Sequence, residues 1–466
     1  MVKNLRLKSQ KYSFKEEFIF AVEVLVDHGI PNLTQSFTYG VPERFRETEV
    51  GFAVNVPFAG KARFGIVSKK FAEYSGEIKS LSKILHPYPI ITEEQLELIQ
   101  SSIGRWGGQP WDFLSFAFPK IPQNLKREIQ KVNGINRKVE RPEFKLGRSY
   151  QELVDLILKR NKLSSQLLVV VPSLLEIDFL RGKLQKRFIE YGSHLTANER
   201  SINYLEVLAG VPNLIIGTRS SIFLPLAVGA EIIVVNDQNF TNYETRYPHW
   251  NVRDIALLRS KNFALTFYGH SPSLEISRLI ETSWMRMGQG VKEKSEIHFN
   301  DGKISWQTVV KKNSQNGPIL ILVPDRGYVN SLVCQNCRNL YKCECGGRLV
   351  IFESSKSPQC FLCERSFKSL SCKYCKSNRI LEYNRGSLRI SAELGKQFPG
   401  LKIVNAKSEL NYREIKSKTI LVSTYENVPI IEYAAVVAQN FERFGNRGEL
   451  RATEIARNTL FDLLAL

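Results

Sequence analysis

The chain has 466 residues, 43% of them apolar, and this length suits two to four domains that each have a core. Its 65 Lys and Arg residues exceed its 46 Asp and Glu residues, and the resulting formal charge of +19 favours nucleic acid as the partner. Solubility alone and an anionic membrane surface are the weaker explanations. The sequence has no apolar run of about eighteen residues, and its polar, basic N-terminus lacks the apolar core of a signal peptide, so we expect a cytoplasmic protein.

Short strand patterns open the chain and are followed by a helix pattern. The strands are FAVEVLVD, SFTYGVP, FAVNVPFA and RFGIVSKK, with Gly, Pro and Asn turns between them. The segment TEEQLELIQSSIGRW then has apolar residues three and four apart, with Thr92 placed to cap its N-terminus. Residues 1–118 are therefore predicted to form a small β-rich domain that ends in a helix.

A basic segment follows at residues 119–145. Its sequence, PKIPQNLKREIQKVNGINRKVERPEFK, is polar and poor in large apolar side chains, as linkers are. Its charges could contact phosphate, and a solvated connector is an equally good explanation.

The rest of the chain alternates buried-strand and helix patterns. Residues 146–310 contain apolar runs such as QLLVVVP and EIIVVN between helical stretches such as SYQELVDLILKR, which indicates a parallel sheet covered on both faces. A second such unit is predicted over residues 311–466, from runs such as PILILVP and KTILVST. The predicted fold class is a multidomain α/β protein with two doubly wound lobes and a cysteine-rich module, residues 333–376, inserted in the second.

All eight cysteines lie in that module. They form three C-x-x-C pairs and one C-x-C pair, namely Cys334 with Cys337, Cys343 with Cys345, Cys360 with Cys363, and Cys372 with Cys375. Such pairs direct two thiolates at one metal ion, and a reducing cytosol disfavours disulfides. We predict two structural four-cysteine zinc sites, with iron–sulfur clusters as the less favoured occupants. The spacing leaves open whether alternating pairs share an ion or whether the outer pairs share one and the inner pairs the other.

Several short motifs occur in a fixed order along the chain. They are SFTYGVP, VPFAGKARFGIV, IIGTRSSIFLP, NDQNFTNYETRYPHWNVRDIAL, YGHSPSLE and LVPDRGYVNSLVCQNC. In this order, and with this cysteine spacing, the chain resembles the PriA family of bacterial replication restart proteins over most of its length. The resemblance implies helicase-like lobes, an N-terminal domain for the 3′ end of a nascent strand, and nested zinc pairing. Under that pairing one zinc is held by Cys334, Cys337, Cys372 and Cys375, and the other by Cys343, Cys345, Cys360 and Cys363.

The resemblance places Phe37, Thr38, Tyr39, Gly60 and Lys79 in a DNA-binding pocket. In such a pocket the two aromatic side chains would lie beside a terminal base, the glycine would allow close backbone approach, and the lysine would meet a phosphate. Thr38 stands where the family has an Asp expected to bond the 3′ hydroxyl, which puts recognition of a free end in question. A purely structural role in the core is the equal alternative for the two aromatic residues.

The motif that holds ATP phosphates in active family members is altered. The nearest match to G-x-x-x-x-G-K-[ST] is PEFKLGRS, in which Pro142 replaces the first glycine and Arg148 replaces the lysine. Gly147 and Ser149 keep the remaining positions, so residues 147–149 form a degenerate nucleotide loop. Arginine is a rigid planar fork and fits a phosphate cradle poorly compared with the compact ammonium of lysine.

Two further parts of the phosphoryl-transfer machinery differ from the family. Its Asp-Glu-Glu-His block falls on Asn236, Asp237, Gln238 and Asn239, so an amide replaces the metal-positioning acid and a shorter Asp replaces the Glu that orients water. The sequence reaches Leu466 without the family's Q-x-x-G-R-x-G-R motif. The segment 119–145 is too short for the family's winged helix, and its C-terminal domain has no counterpart, so we expect reduced binding of duplex arms.

These patterns lead to one functional interpretation. We expect a zinc-containing DNA-binding protein of the replication restart primosome, resembling the actinobacterial branch of the family. It would recognise stalled, forked or gapped DNA and help to reload the replicative helicase, without ATP, catalytic residues or a membrane. The alternatives are an active 3′–5′ ATP-dependent helicase and a general basic zinc-ribbon scaffold. His28, His249 and His270 have no Cys or carboxylate clustered with them in the sequence, so neither ligation nor catalysis is expected of them.

Overall fold

The described parts of the chain form an N-terminal β-barrel, two α/β units and a cysteine module. Most of the predicted basic linker, residues 124 and 126–139, lies outside them. Within these parts every helix is too short or too polar to span a lipid bilayer. The computed structural model describes residues 18–31, 33–72, 78–123, 125, 140–161, 165–288, 305–324, 329–352, 357–406, 415–446 and 450–466.

Six strands at the N-terminus form a closed barrel. The strands are β1 (Phe18–Val26), β2 (Phe37–Pro42), β3 (Ala53–Phe58), β4 (Lys61–Phe71), β5 (Lys79–Ser80) and β6 (Lys83–Ile84). Strands β1 to β4 pair in an antiparallel manner, in the order β2-β1-β4-β3. The short β5 pairs with β2 and the short β6 pairs with β3, so one continuous segment joins both edges of the sheet. Alternate apolar residues such as Val22, Val24 and Val54 fill the interior.

Two helices connect the barrel to the next unit. Helix α1 (Glu93–Trp106) begins at Thr92 as predicted, where a capping box joins the Thr92 and Gln95 side chains to each other's backbone amides. It ends at Gly107, whose φ of 75° breaks the helix. Helix α2 (Pro110–Ala117) follows, and the sequence patterns had not indicated it.

The first α/β unit is a seven-stranded parallel sheet with helices on both faces. Its strand order is β13-β7-β12-β11-β8-β10-β9. Successive strand residues enter opposite cores; for example, Leu168 faces one core and Val169 the other, as the continuous apolar runs predict. The elements are β7 (Glu143–Leu146), α3 (Tyr150–Arg160), β8 (Leu167–Val170), α4 (Leu174–Lys183), β9 (Ile189–Tyr191), α5 (Ala197–Leu208), β10 (Leu214–Gly217), β11 (Glu231–Val235), α6 (Val252–Arg259), β12 (Ala264–Gly269), α7 (Leu274–Glu281) and β13 (Arg286–Gly288).

The second α/β unit is a smaller parallel sheet, in the order β19-β20-β14-β21, and the cysteine module is inserted after its first strand. The module is an antiparallel sheet of β17-β16-β15-β18. The predicted α/β class with a β-rich N-terminal region is confirmed. The elements are α8 (Trp306–Asn313), β14 (Ile319–Leu322), β15 (Val329–Cys334), β16 (Leu349–Ile351), β17 (Pro358–Cys360), β18 (Ile380–Arg385), α9 (Ser387–Gln397), β19 (Lys402–Asn405), β20 (Thr419–Ser423), β21 (Ala435–Ala438), α10 (Glu442–Gly445) and α11 (Ala452–Leu464).

The barrel and its two helices share a core with the first α/β unit. Apolar side chains of α1, α2 and one outer face of the barrel belong to the same buried cluster as one face of the seven-stranded sheet. The Gln95 amide donates to the carbonyl of Phe223 at 2.7 Å. The fully buried Arg259 guanidinium makes a two-fold ion pair with Glu94, at 3.0 and 2.7 Å, and donates to two loop carbonyls. The barrel is therefore held firmly against this unit.

We predict that Arg259→Ala lowers the free energy of unfolding by about 3 kcal/mol, because Glu94 and two carbonyls lose their buried partner. Urea denaturation of the full chain measures this. The matched control is Arg278→Ala, which removes an ion pair with Glu281 at 3.4 Å between two exposed side chains and should change stability by less than about 0.5 kcal/mol. Equal effects of the two substitutions would contradict the anchoring role of Arg259.

Candidate functional site

The eight cysteines gather into two groups of four in the nested arrangement. Within each group the four sulfur atoms lie within 4.8 Å of one another. The first group joins the outer pairs, with Cys334 and Cys375 sulfurs 3.5 Å apart, and the second joins the inner pairs, with Cys345 and Cys360 sulfurs 3.4 Å apart. The groups are Cys334, Cys337, Cys372 and Cys375, and Cys343, Cys345, Cys360 and Cys363.

The sulfur geometry fits a tetrahedral metal ion. Within each group, sulfur atoms from the two different cysteine pairs lie 3.4 to 3.7 Å apart. This is close to the roughly 3.8 Å edge of a tetrahedron with zinc–sulfur bonds of about 2.3 Å. A disulfide would need about 2.05 Å, so these are free thiols in the structure. Four thiolates around one ion leave no open position for substrate, which suits a structural zinc site.

The backbone explains why each pair of cysteines points inward. Each pair is followed by a residue with positive φ: Arg338 at 62°, Gly346 at 86°, Glu364 at 59° and Lys376 at 60°. At all four of these turns the same residue's N–H donates to the carbonyl of the first cysteine of the pair, as from Arg338 to Cys334 at 2.9 Å. Backbone N–H groups of the turns also lower the pKa of the Cys334, Cys337, Cys360 and Cys375 thiols, which favours thiolate.

The segment matched to a phosphate-binding loop is a strand here. Residues Glu143–Leu146 form β7, which lies between β12 and β13 and pairs with both. The next amide, that of Gly147, donates to the carbonyl of Gly269 at 3.0 Å. Only residues 147–149 connect β7 to α3, so this stretch does not wrap around a bound anion.

The start of α3 is capped and covered by the chain itself. The Ser149 hydroxyl accepts the Glu152 amide at 3.4 Å, and the Glu152 carboxylate accepts the Arg148 amide at 3.3 Å. The Tyr268 hydroxyl donates to the Ser149 carbonyl at 2.7 Å. Its ring also packs on Gly147 so closely that a Cβ there would lie 2.0 Å from the hydroxyl oxygen.

The block that corresponds to the family's acidic motif follows β11. Asn236 has a φ of 47°, and its backbone N–H donates to the Tyr268 carbonyl at 2.7 Å. Asp237 is fully buried, 3.9 Å from the Arg253 guanidinium, and burial raises its pKa to about 6 against the opposing effects of Ser273 and Arg253. Asn236 and Asn239 line the nearby cleft, whereas the Asp237 side chain is turned into the first α/β unit.

That cleft lies between the two α/β units and is small. Its cavity of about 60 Å³ compares with about 300 to 1,000 Å³ for sites that hold drug-sized ligands. Side chains of both units line it, among them Tyr150, Glu176, Asn236, Tyr425 and Asp462. Burial raises the pKa of the Tyr150 and Tyr425 hydroxyls well above their usual range.

Direct bonds across the cleft join α11 to the segment after β12. His270 Nδ1 lies 2.9 Å from an Asp462 carboxylate oxygen, and the Tyr425 hydroxyl donates to the same carboxylate. The Ser271 hydroxyl lies 2.7 Å from the Asn458 side-chain oxygen. The sequence near His270 offers no carboxylate, and its partner Asp462 comes from 192 residues away.

Further hydrogen bonds and ion pairs lie at the edge of the cleft. The Leu274 amide at the start of α7 donates to the Glu454 carboxylate at 2.9 Å. Glu275 pairs with Arg451 and, at 3.0 Å, with Arg253, and these cations help to lower its pKa to about 2 despite its partial burial. The two α/β units are therefore fastened together by side chains of the protein.

The residues predicted to bind a strand end lie around the barrel strands β2, β3 and β5. Lys79 is exposed and lies directly beside Tyr39 in the β2–β5 pairing. Gly60 is exposed in the β3–β4 turn with a φ of 76°, and open space surrounds it. Phe37 and Thr38 are half-buried, whereas Tyr39 is only 4% exposed and its hydroxyl donates to the Pro57 carbonyl at 3.4 Å. Tyr39 is thus part of the barrel core.

An aromatic loop that the sequence reasoning missed lies beside the cleft. Tyr243 and Tyr247 are 42% and 58% exposed and pack against the His249 ring at centroid distances of 6.2 and 6.5 Å. Arg219 holds the loop by donating to the Thr241 and Tyr243 carbonyls at 3.0 and 2.6 Å. The density of aromatic and basic residues in YETRYPHW was the signal that could have indicated it.

Comparison with known proteins supports a relationship to one family. Residues 23–119 match the family described as the PriA 3′DNA-binding domain. The chain is 24% identical over 498 residues to the probable replication restart protein PriA of Mycobacterium tuberculosis strain H37Rv, covering 92% of this chain and 75% of that protein. The chain is related to the PriA proteins. The replication restart protein PriA of Borreliella burgdorferi is 23% identical over 84% of this chain, with 68% of that protein covered.

The relationship agrees with the PriA resemblance that the order of motifs indicated. The region matched to the PriA 3′DNA-binding domain contains most of the barrel, together with α1 and α2. Phe37, Thr38, Tyr39, Gly60 and Lys79 therefore all fall inside it. The similarity to mycobacterial PriA runs over 92% of this chain, so it reaches well beyond the barrel into the α/β units.

We predict two zinc ions per purified chain, because the two cysteine groups share no ligand. The variant Cys334→Ser/Cys375→Ser should retain one zinc, since nested pairing places both residues in one group. Alternating pairing would put them in different groups and remove both ions. The matched control is Cys334→Ser/Cys337→Ser, which loses one ion under either pairing. Elemental analysis of the folded protein gives the zinc content, and a chain that folds fully without metal would contradict both sites.

Proposed function

We propose that this PriA relative is a zinc-containing DNA-binding protein of replication restart that does not hydrolyse ATP. It recognises stalled, forked or gapped DNA and helps to reload the replicative helicase by recruiting other primosome proteins. The observation that carries the proposal is the combination of a barrel of the 3′DNA-binding type with a strand in place of the phosphate-binding loop.

Charge and exposed aromatic residues support DNA as the ligand. The chain carries a formal charge of +19, which attracts a polyanion through counterion release. At the barrel, Lys79 is exposed and Phe37 half-buried, and a phosphate and a base are the groups such side chains bind. Tyr243 and Tyr247 offer further ring faces on the first α/β unit, where a single strand can stack without regard to sequence.

The chemistry of phosphoryl transfer supports the absence of turnover. That reaction needs backbone amides and a lysine around the phosphates, an acid that positions magnesium, and a group that orients the attacking water. Here the amides of β7 pair within a sheet, Arg148 replaces the lysine, and Asn236 replaces the acid. Asp237 remains, but it is buried against Arg253 rather than turned to the cleft.

Zinc would be held by the two cysteine groups and would supply structure rather than reactivity. Each ion would hold the four thiolates of two turns, and together the two ions would set the shape of the module from β15 to β18. The module then stands as a rigid projection of the second α/β unit, and we propose that it contacts primosome proteins or braces this unit.

We predict no ATP turnover above a protein-free blank when the chain is mixed with forked DNA, magnesium and ATP. Restoring the family lysine with Arg148→Lys should not create activity, because the β7 amides stay paired within the sheet. Phosphate release measures this directly. Turnover by the native chain that Arg148→Ala abolishes would overturn the proposal and would instead establish an active helicase-type ATPase.

We predict that the chain binds forks and gapped DNA more tightly than plain duplex. We also predict that Phe37→Ala weakens binding to a single strand with a free 3′ end about tenfold, as the loss of one stacked base does. Fluorescence anisotropy with labelled DNA gives both affinities. Phe461→Ala removes an exposed aromatic residue from α11, outside the barrel, and serves as the control. Equal affinity for all DNA forms would mean that charge alone binds DNA, as in a general basic scaffold.

A further inference from the structure

A histidine joins two phenylalanines in an aromatic cluster on the barrel. The ring of His28 stacks on Phe58 at a centroid distance of 5.5 Å and an interplanar angle of 23°. It meets Phe37 edge to face at 6.3 Å, and the two phenylalanine rings lie 5.0 Å apart. Phe37 and Phe58 are half-buried, and Phe58 comes two residues before the exposed Gly60 turn, so the cluster borders the proposed pocket for a strand end.

The hydrogen bonds of His28 fix which ring nitrogen carries the hydrogen. Its Nδ1 accepts the backbone N–H of Ile30 at 3.0 Å. Because a neutral imidazole has one donor and one acceptor nitrogen, Nε2 carries the hydrogen in this form and is a donor. His28 as a whole is only 8% exposed, and among the described residues no group accepts a hydrogen bond from this nitrogen, which keeps some contact with solvent.

A donor of this kind beside two ring faces suits one class of ligand. A terminal nucleotide presents an apolar base face for Phe37 and Phe58, and it carries oxygen acceptors on its sugar and phosphate. Among the residues at this pocket, Thr38 stands where the family has an Asp, so a neutral hydroxyl replaces the carboxylate that would accept the hydrogen of a 3′ hydroxyl. A histidine donor reverses the direction of that hydrogen bond and can still recognise the oxygen.

We propose that His28 recognises the end of a DNA strand by donating a hydrogen bond from Nε2 to a sugar or phosphate oxygen of the terminal nucleotide. This inference rests on the proposed function of the barrel as a strand-end site. His28 is then a specificity-determining residue: it distinguishes an end from the interior of a strand, whereas Phe37 and Lys79 supply stacking and charge that any single strand can use.

Three substitutions separate the donor from the rest of the side chain. In His28→Asn the amide oxygen takes the position of Nδ1 and can accept the Ile30 amide, but the Nε2 donor is lost. In His28→Gln an amide nitrogen takes the position of Nε2 and restores a donor. In His28→Phe the ring contacts with Phe37 and Phe58 persist without any donor. The exposed His194→Asn, on the first α/β unit, is the control.

The test measures the affinity of each full-length variant for a linear single strand with a 3′ hydroxyl, for the same strand with a 3′ dideoxy end, and for a closed single-stranded circle. We expect His28→Asn and His28→Phe to bind linear DNA about fivefold more weakly, as the loss of one hydrogen bond implies, and to bind the circle normally. His28→Gln and His194→Asn should remain within about twofold of the native chain on every DNA. Loss of the difference on dideoxy DNA identifies the hydroxyl as the acceptor, and its persistence identifies a phosphate.

The outcomes that overturn the inference differ from those that overturn the proposed function. If the native chain prefers ends but His28→Asn and His28→Phe bind ends normally, His28 has no recognition role. The same conclusion follows if these variants lose affinity equally for ends and circles, because that pattern reports a structural defect. If the native chain itself binds ends and circles equally, the strand-end function of the barrel fails instead.

Discussion

A backbone N–H group of β7 can bond to a neighbouring strand or to a phosphate, but it cannot serve both. Because β7 lies between β12 and β13, sheet pairing uses its amides on both edges, and the amide of Gly147 continues the pattern to Gly269. Freeing them would break several hydrogen bonds inside a buried sheet, and each buried group left unpaired costs about 1 to 3 kcal/mol. This pairing therefore constrains the chemistry more strongly than any single side chain of the altered motifs.

The contacts across the cleft also fit a protein in which a strand replaces the phosphate-binding loop. In a nucleotide-driven protein the two units must separate and approach, so the ligand has to contribute much of the contact between them. Here Asp462 of α11 contacts both His270 and Tyr425, and the Glu275–Arg451 pair closes the edge. Many buried polar bonds that do not involve a ligand favour one fixed arrangement. A fixed arrangement of the two α/β units fits the proposed function, which needs no opening and closing driven by nucleotide.

The sequence predicted local features well and long-range ones poorly. Apolar runs revealed the strands because a parallel sheet buries both faces, and Thr92 marked the start of α1 because its cap is satisfied within one turn. The partner of His270 lies 192 residues away, and spacing carries no record of such a contact. The grouping of the cysteines needed the family resemblance, since the nested and alternating arrangements satisfy the same eight ligands. The strand character of β7 was missed because a motif alignment treated EFKL as loop, although Phe144 is fully buried.

We expect the cysteine module to depend on metal, in contrast to the rest of the described chain. Its small core consists largely of the cysteines themselves, with a few residues such as Leu332 and Leu349. Arg338, Glu364 and Lys376 each adopt a left-handed backbone that costs a non-glycine residue roughly 1 to 2 kcal/mol. Zinc binding by comparable small sites contributes about 10 to 16 kcal/mol near neutral pH, which exceeds that cost severalfold. The barrel and the first α/β unit share a large apolar core without such strain at their joint, so loss of metal should unfold the module and leave the proposed strand-end site folded.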